Sequence, residues 1–257
     1  LDGLDCEKAI WVGHDWGCAT VWSIASHHPD RCFGVANLCV PYRTLELGID
    51  VLISLVNRSV YPLDEFPAGQ WEYQMFYREN FARAQEVFDN NPYNAVRALF
   101  RKWGPNEAGL PALTAHVRRD NGWFGGMTAA PDTERDDDVV SEADLRIYAS
   151  ALERNSFFGP CSYYMNHERN AEYAKSAQSD GVLEMPVLFL NGIYDHVCQC
   201  SVGDLGKPMR ESCHNLTEYD IRCGHWMAQE KPREVNSALA NWIAKDIGSA
   251  WPLPPFS

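Results

Sequence analysis

Apolar and polar positions follow two rhythms along this chain. Nearly continuous apolar runs end the stretch 7–12 and fill Val35 to Val40 and Pro186 to Leu190, with a weaker run at Leu216 to Ile221. Short runs of this kind, closed by Gly, Pro or Asn, predict strands covered on both faces, as in a parallel sheet. Helical patterns fall between them. Cys18 to His28 carries Ala19, Trp22, Ile24 and Ala25 and closes at Pro29. Pro232 suits the first turn of another helix, where Val235, Leu239, Trp242 and Ile243 share one face. Strands alternating with helices predict an α/β architecture. The segment 43–182 breaks the alternation, with aromatic and charged helical stretches and no clear buried strand. It reads as an inserted helical cap, leaving 1–42 and 183–257 as two parts of one core. Within it, Ser141-Glu142-Ala143-Asp144 predicts a helix start, and the acidic run Asp132 to Asp138 a solvated loop or helix start. The tail Trp251 to Ser257 is Pro-rich and reads as irregular.

Composition narrows the setting. The 257 residues are 46% hydrophobic and 22% charged, as in an ordinary globular protein long enough to bury a core. A formal net charge of -13 argues against nucleic acid or an anionic membrane as partner. No transmembrane run or signal peptide stands out. Nine cysteines, an odd number without framework spacing, predict reduced thiols and a cytoplasmic setting rather than disulfides. His196, Cys198, Cys200, Cys213, His214, Cys223 and His225 lack a zinc-site spacing, so no metal and no cofactor is expected. The chain starts at Leu1 with its first strand at once, which reads as a chain cut at its N-terminus.

The chemistry concentrates at Gly13-His14-Asp15-Trp16-Gly17. Two glycines bracket Asp15 between a strand and a helix, the layout of a sharp turn that holds one side chain exposed at the sheet edge. Serine usually occupies that position. A carboxylate there attacks saturated carbon to give an ester, which water can cleave at the carboxylate's own carbonyl; serine would give an ether. Asp15 therefore points to an epoxide or to a carbon bearing a halide. Such a nucleophile needs an acid and a histidine later in the chain, in that order. Asp195 follows the strand at 187–190, and His225 follows the strand at 216–221. Both are thus expected at the same sheet edge as Asp15, where binding crevices of open α/β sheets lie.

With these residues in place, the chain resembles the soluble epoxide hydrolase group of the α/β-hydrolase superfamily. The resemblance rests on Gly-His-Asp-Trp-Gly at 13–17, Asn-Gly-Ile-Tyr-Asp at 191–195 and Gly-His-Trp at 224–226. It extends into the cap through Trp71 to Tyr77 and Gly159 to Asn166, where it implies two tyrosines, Tyr73 and Tyr164. It implies an α/β-hydrolase fold with a helical cap, Asp15 as nucleophile, and His225 oriented by Asp195. Tyr73 and Tyr164 would hold the epoxide oxygen, the Trp16 N–H would support an oxyanion, and His14 would support the turn. The partners implied are a small apolar epoxide and water. A homodimer stays open as an assembly state.

The chain departs from the family in two respects. The His-Gly-x-Pro loop that supplies another oxyanion donor does not occur, and Cys18 stands where many relatives carry Gly. Haloalkane dehalogenases share the Asp turn and both partners, so dehalogenation is an alternative, although it leaves the tyrosine pair unexplained. A truncated, non-catalytic hydrolase-like protein is another.

Overall fold

The computed structural model describes residues 1–107 and 109–248. Four strands, β1 (Ala9–His14), β2 (Cys32–Leu38), β3 (Val187–Gly192) and β4 (Leu216–Ile221), form one all-parallel sheet in the order β1-β2-β3-β4. Helix α1 (Trp16–His27) connects β1 to β2. The alternating pattern thus becomes a parallel α/β sheet, and the predicted tail at 251–257 lies outside the described residues.

β3 is buried throughout and β2 nearly so, as continuous apolar runs require. Full burial of side chains such as Leu188 and Leu190 contributes roughly 1.5–3 kcal/mol each. β1 differs from its reading as a buried strand. It runs two residues further, to His14, and Val12 is 53% exposed. The reason is pairing: among the described residues β1 bonds only to β2. β2 begins before its predicted start at Val35, because Gly34 belongs to the strand. A Cβ on Gly34 would lie 2.7 Å from Ile247 Cδ1 and 3.0 Å from Trp242, so its absence lets the C-terminal helix pack closely. β2 ends at Leu38 rather than Val40, because Cys39 takes a left-handed conformation (φ 75°).

Between β2 and β3 the chain is helical. Its helices of eight or more residues are α2 (Glu72–Glu79), α3 (Phe81–Asp89), α4 (Pro92–Leu99), α5 (Glu142–Asn155) and α7 (His167–Ala174), with the short α6 (Phe158–Ser162) before the last. Among the described residues this stretch holds no strand; an isolated bridge joins Leu183 to Cys213 near its end. Ser141 caps α5 as predicted, its Oγ accepting from the Asp144 N–H at 3.1 Å. The acidic run is less free than a solvated loop: Asp132 pairs with Arg97 and Asp138 with Lys102, tying it to α4 and the residues after it. Helices α8 (Met227–Glu230) and α9 (Pro232–Trp242) follow β4, with Val235 and Trp242 turned into the core, and a π-helical turn at Ile243–Ile247 continues α9.

Candidate active site

Asp15 sits between β1 and α1 with φ 51° and ψ −123°, a conformation rare for a side chain other than Gly. Gly13 makes the turn fit: a Cβ there would lie 2.5 Å from Asn37 Oδ1 and 2.6 Å from the Gly17 carbonyl oxygen. The two Asp15 oxygens have different neighbours. Oδ2 accepts the Trp16 backbone N–H at 2.7 Å, and Oδ1 lies 3.3 Å from His225 Nε2.

The acid and the histidine come from the loops after β3 and β4. Asp195 Oδ2 is 2.8 Å from His225 Nδ1, and Oδ1 accepts the N–H groups of Val197 and Cys198 at 2.9 and 3.0 Å. The loops run close together, since a Cβ on Gly192 would lie 2.6 Å from the Gly224 carbonyl oxygen. The His225 carbonyl is anchored by His14 Nε2 at 2.8 Å and by the Cys39 thiol at 3.2 Å. Glu230 accepts the Gly224 N–H, and Trp226 stacks on Phe100 (centroids 3.9 Å apart) while donating to the Leu99 carbonyl. Sequence patterns alone did not single out Glu230, Cys39 or Phe100 as supports.

Electrostatics match this geometry. Burial alone would lower the His225 pKa, but Asp195 and Asp15 outweigh it and hold the imidazole well above its ordinary value. Burial would raise Asp15 and Asp195, and pairing with His225 brings both below the ordinary carboxylate value. The resting arrangement is therefore an imidazolium between two carboxylates. His14 is lowered, first by burial and then by the His225 charge, so it anchors as a neutral ring.

The tyrosines come together from two helical segments. Tyr73 on α2 and Tyr164 after α6 have ring centroids 5.4 Å apart, and Trp16 meets Tyr164 edge-on at 5.4 Å. Tyr77, one helical turn beyond Tyr73, stacks flat on Tyr164 (4.3 Å, 6°). The i, i+4 spacing of Tyr73 and Tyr77 was the signal available for this support. Burial raises both Tyr73 and Tyr164, and the Asp15 charge adds to the rise, so both phenols are neutral and within electrostatic reach of Asp15. Gln74, fully buried, donates from Nε2 to Tyr73 Oη at 3.0 Å.

A cavity of about 410 Å³ lies along α1, lined by Trp16, Thr20, Ile24, Tyr163, Asn166 and Tyr173. All nine cysteines are free. The seven residues weighed as metal ligands are not gathered. The compact groups among the described residues are His14–Cys39–His225 and Asp195–Cys198–His225, and both depend on an imidazole already engaged on each nitrogen. Burial pushes the Cys39 and Cys198 thiols well up, so they are poor thiolate donors.

A carboxylate on a strand-to-helix turn, with a buried Asp–His pair from later loops of one parallel sheet, defines a protein of the α/β-hydrolase fold. Comparison with known proteins narrows this further. The chain is 28% identical over 248 residues to pig bifunctional epoxide hydrolase 2, covering 96% of this chain and 40% of the pig protein. It is 27% identical to epoxide hydrolase A of Mycobacterium tuberculosis, covering 95% of this chain and 71% of that protein. The crystal structure of epoxide hydrolase A from Mycobacterium thermoresistibile superposes with a TM-score of 0.69 at 26% identity, over 95% of this chain and 72% of that one. No family model matches the chain. Its relatives are epoxide hydrolases and its fold is that of the α/β-hydrolases. The chain spans about two fifths of the pig protein's length. Among the described residues no helix is long and apolar enough to cross a membrane.

Proposed function

We propose that the chain is an epoxide hydrolase that opens an epoxide to a vicinal diol through a covalent ester on Asp15, with 43–182 acting as its cap. The observation that carries this reading is the Asp15 carboxylate on its strained turn, 3.3 Å from His225 Nε2, which in turn is paired with buried Asp195. The tyrosine pair favours an epoxide over a halide, because a leaving alkoxide needs a proton and two neutral phenols can supply and share it.

The reaction runs in two halves. Asp15 Oδ1 attacks an epoxide carbon, the C–O bond breaks toward oxygen, and that oxygen takes a proton from a cap phenol. Ester formation removes the Asp15 charge, which lets His225 release its proton to bulk water and act as a base toward the attacking water. Water attacks the ester carbonyl, His225 takes one water proton, and the oxyanion forms on Oδ2, already bonded to the Trp16 N–H at 2.7 Å. Collapse expels the second alkoxide, which takes the His225 proton. The remaining water hydrogen, left on the Asp15 carboxyl, restores the phenol, and His225 regains from bulk water the proton it released. Epoxide plus water thus becomes diol. His14 acts through its hold on the His225 carbonyl. Free thiols support a reducing, cytoplasmic setting.

The test is one turnover in oxygen-18 water, followed by peptide mass spectrometry. The Asp15 peptide gains the label and the first diol does not. An unlabelled Asp15, or diol formation by Asp15→Ala, overturns the mechanism. Chloride release from a chloroalkane without diol formation from epoxides identifies a dehalogenase instead.

A further inference from the structure

Gln74 has no solvent exposure, and its Oε1 is buried without a hydrogen-bond partner. A buried amide with one unmatched end is a cost to folding, so the end that is matched has to compensate. That end is Nε2, which donates to Tyr73 Oη at 3.0 Å. Its partner Tyr73 packs against Tyr77, Trp123 and Tyr164. A phenol has one hydrogen. Because Tyr73 Oη accepts from Gln74, its own hydrogen does not point back at that N–H and is left for another acceptor.

From this geometry we infer that Gln74 is a positioning residue for epoxide opening, one that aims the Tyr73 hydrogen and steadies negative charge on Tyr73 Oη. The inference rests on the epoxide hydrolase reading above and extends it. When Asp15 forms its bond to carbon, the epoxide C–O bond breaks and the oxygen takes the Tyr73 proton. Tyr73 is then a phenolate, and the Gln74 N–H becomes a hydrogen bond to an anion. Such bonds are markedly stronger than neutral ones. The gain appears as charge develops, so it lowers the barrier of this half-reaction. The water step breaks a different bond and draws on His225 and the Trp16 N–H, so Gln74 contributes nothing specific to it.

The test separates the two steps by rapid quench and intact-protein mass spectrometry on the full chain, with trans-stilbene oxide, styrene oxide and 1,2-epoxyoctane as probes. Gln74→Met keeps the side chain's length without a donor. Gln74→Glu keeps its shape but presents an acceptor that captures the Tyr73 hydrogen. Ester formation on Asp15 slows about ten- to a hundredfold in Gln74→Met, on the scale of one charge-assisted hydrogen bond, and further in Gln74→Glu. Ester hydrolysis changes by less than about twofold. In a Tyr73→Phe background, Gln74→Met adds less than about twofold to the loss, because its partner atom is gone. If Gln74→Met does not fold, Gln74→Glu alone carries the comparison of the two steps. Equal slowing of both steps, full additivity with Tyr73→Phe, or unchanged ester formation overturns the inference while leaving the covalent mechanism intact. If the parent forms no Asp15 ester with any probe, the epoxide hydrolase reading fails and this inference with it.

Discussion

Replacing Asp15 by Asn mimics what the proposed first half-reaction would do to His225, because an ester and an amide both remove one carboxylate charge beside it. The distance from His225 Nε2 to Asp15 Oδ1 is 3.3 Å. At an effective dielectric near 20, a unit pair at that distance interacts by roughly 5 kcal/mol. The Asp15 side chain is 34% exposed, and solvent screening reduces the figure to about 2–3 kcal/mol. In the parent His225 is held well above the ordinary imidazole value, and in Asp15→Asn it returns toward that value with Asp195 as its one remaining anion. The assay is a titration of the His225 ring by heteronuclear NMR in both proteins. The reasoning is refuted if His225 ionises at the same pH in the two, because Asp15 would then contribute nothing to holding its proton. The stability consequence has a definite sign. A raised folded-state imidazole pKa stabilises the fold fully below about pH 6.5, and the contribution is lost as pH rises through the folded value. Asp15→Asn therefore costs more stability at pH 6 than at high pH, and urea unfolding across that range reads the difference.

Three further outcomes follow from the geometry. In His225→Gln, ester formation persists while its hydrolysis falls by about a thousandfold or more, so mass spectrometry finds the alkylated protein accumulating; rapid turnover without accumulation contradicts the assigned base. Gly13→Ala places a methyl group 2.5–2.6 Å from Asn37 Oδ1 and the Gly17 carbonyl, so thermal unfolding shifts down by an amount equivalent to roughly 3 kcal/mol or more. Glu46, buried against the Arg43 and Thr44 amides, is pushed up to about 7 mainly by burial. Its contribution to stability is therefore full below about pH 4.5 and is lost as pH rises through about 7, on the order of 3 kcal/mol in total; Glu46→Gln removes that slope in a urea-unfolding series.

The sheet and the order of its chemistry were legible because each signal was local. β4 occupies the predicted 216–221, and the acid and histidine lie just past strand ends, where a Gly or Asn breaks the apolar run. What stayed hidden depended on backbone conformation or on partners far along the chain. Nothing in the residue types announces that Cys39 takes a positive φ and ends β2 early. The strand was predicted from Val35, and the role of Gly34 before it emerged only with Trp242 and Ile247 beside it. Tyr163 and Tyr164 are indistinguishable as letters. In the folded chain Tyr164 meets Tyr73, while Tyr163 is half-exposed. Gln74 escaped notice because neighbours in a helix do not ordinarily face each other, and only its length lets it reach Tyr73 Oη.

Under the proposed mechanism, the unequal surroundings of the two Asp15 oxygens would give the protein a memory of its previous turnover. Oδ2 is tied to the Trp16 N–H, so Oδ1 is the oxygen that leaves with the product. Incoming water fills the vacated position beside His225, and the next epoxide collects that atom. In isotopic water every diol after the first thus carries an oxygen that entered one cycle earlier, while Oδ2 is never exchanged. A carboxylate free to rotate would deliver the label to only half of the second diols, so the isotope content of the second product measures how firmly one backbone amide holds one oxygen.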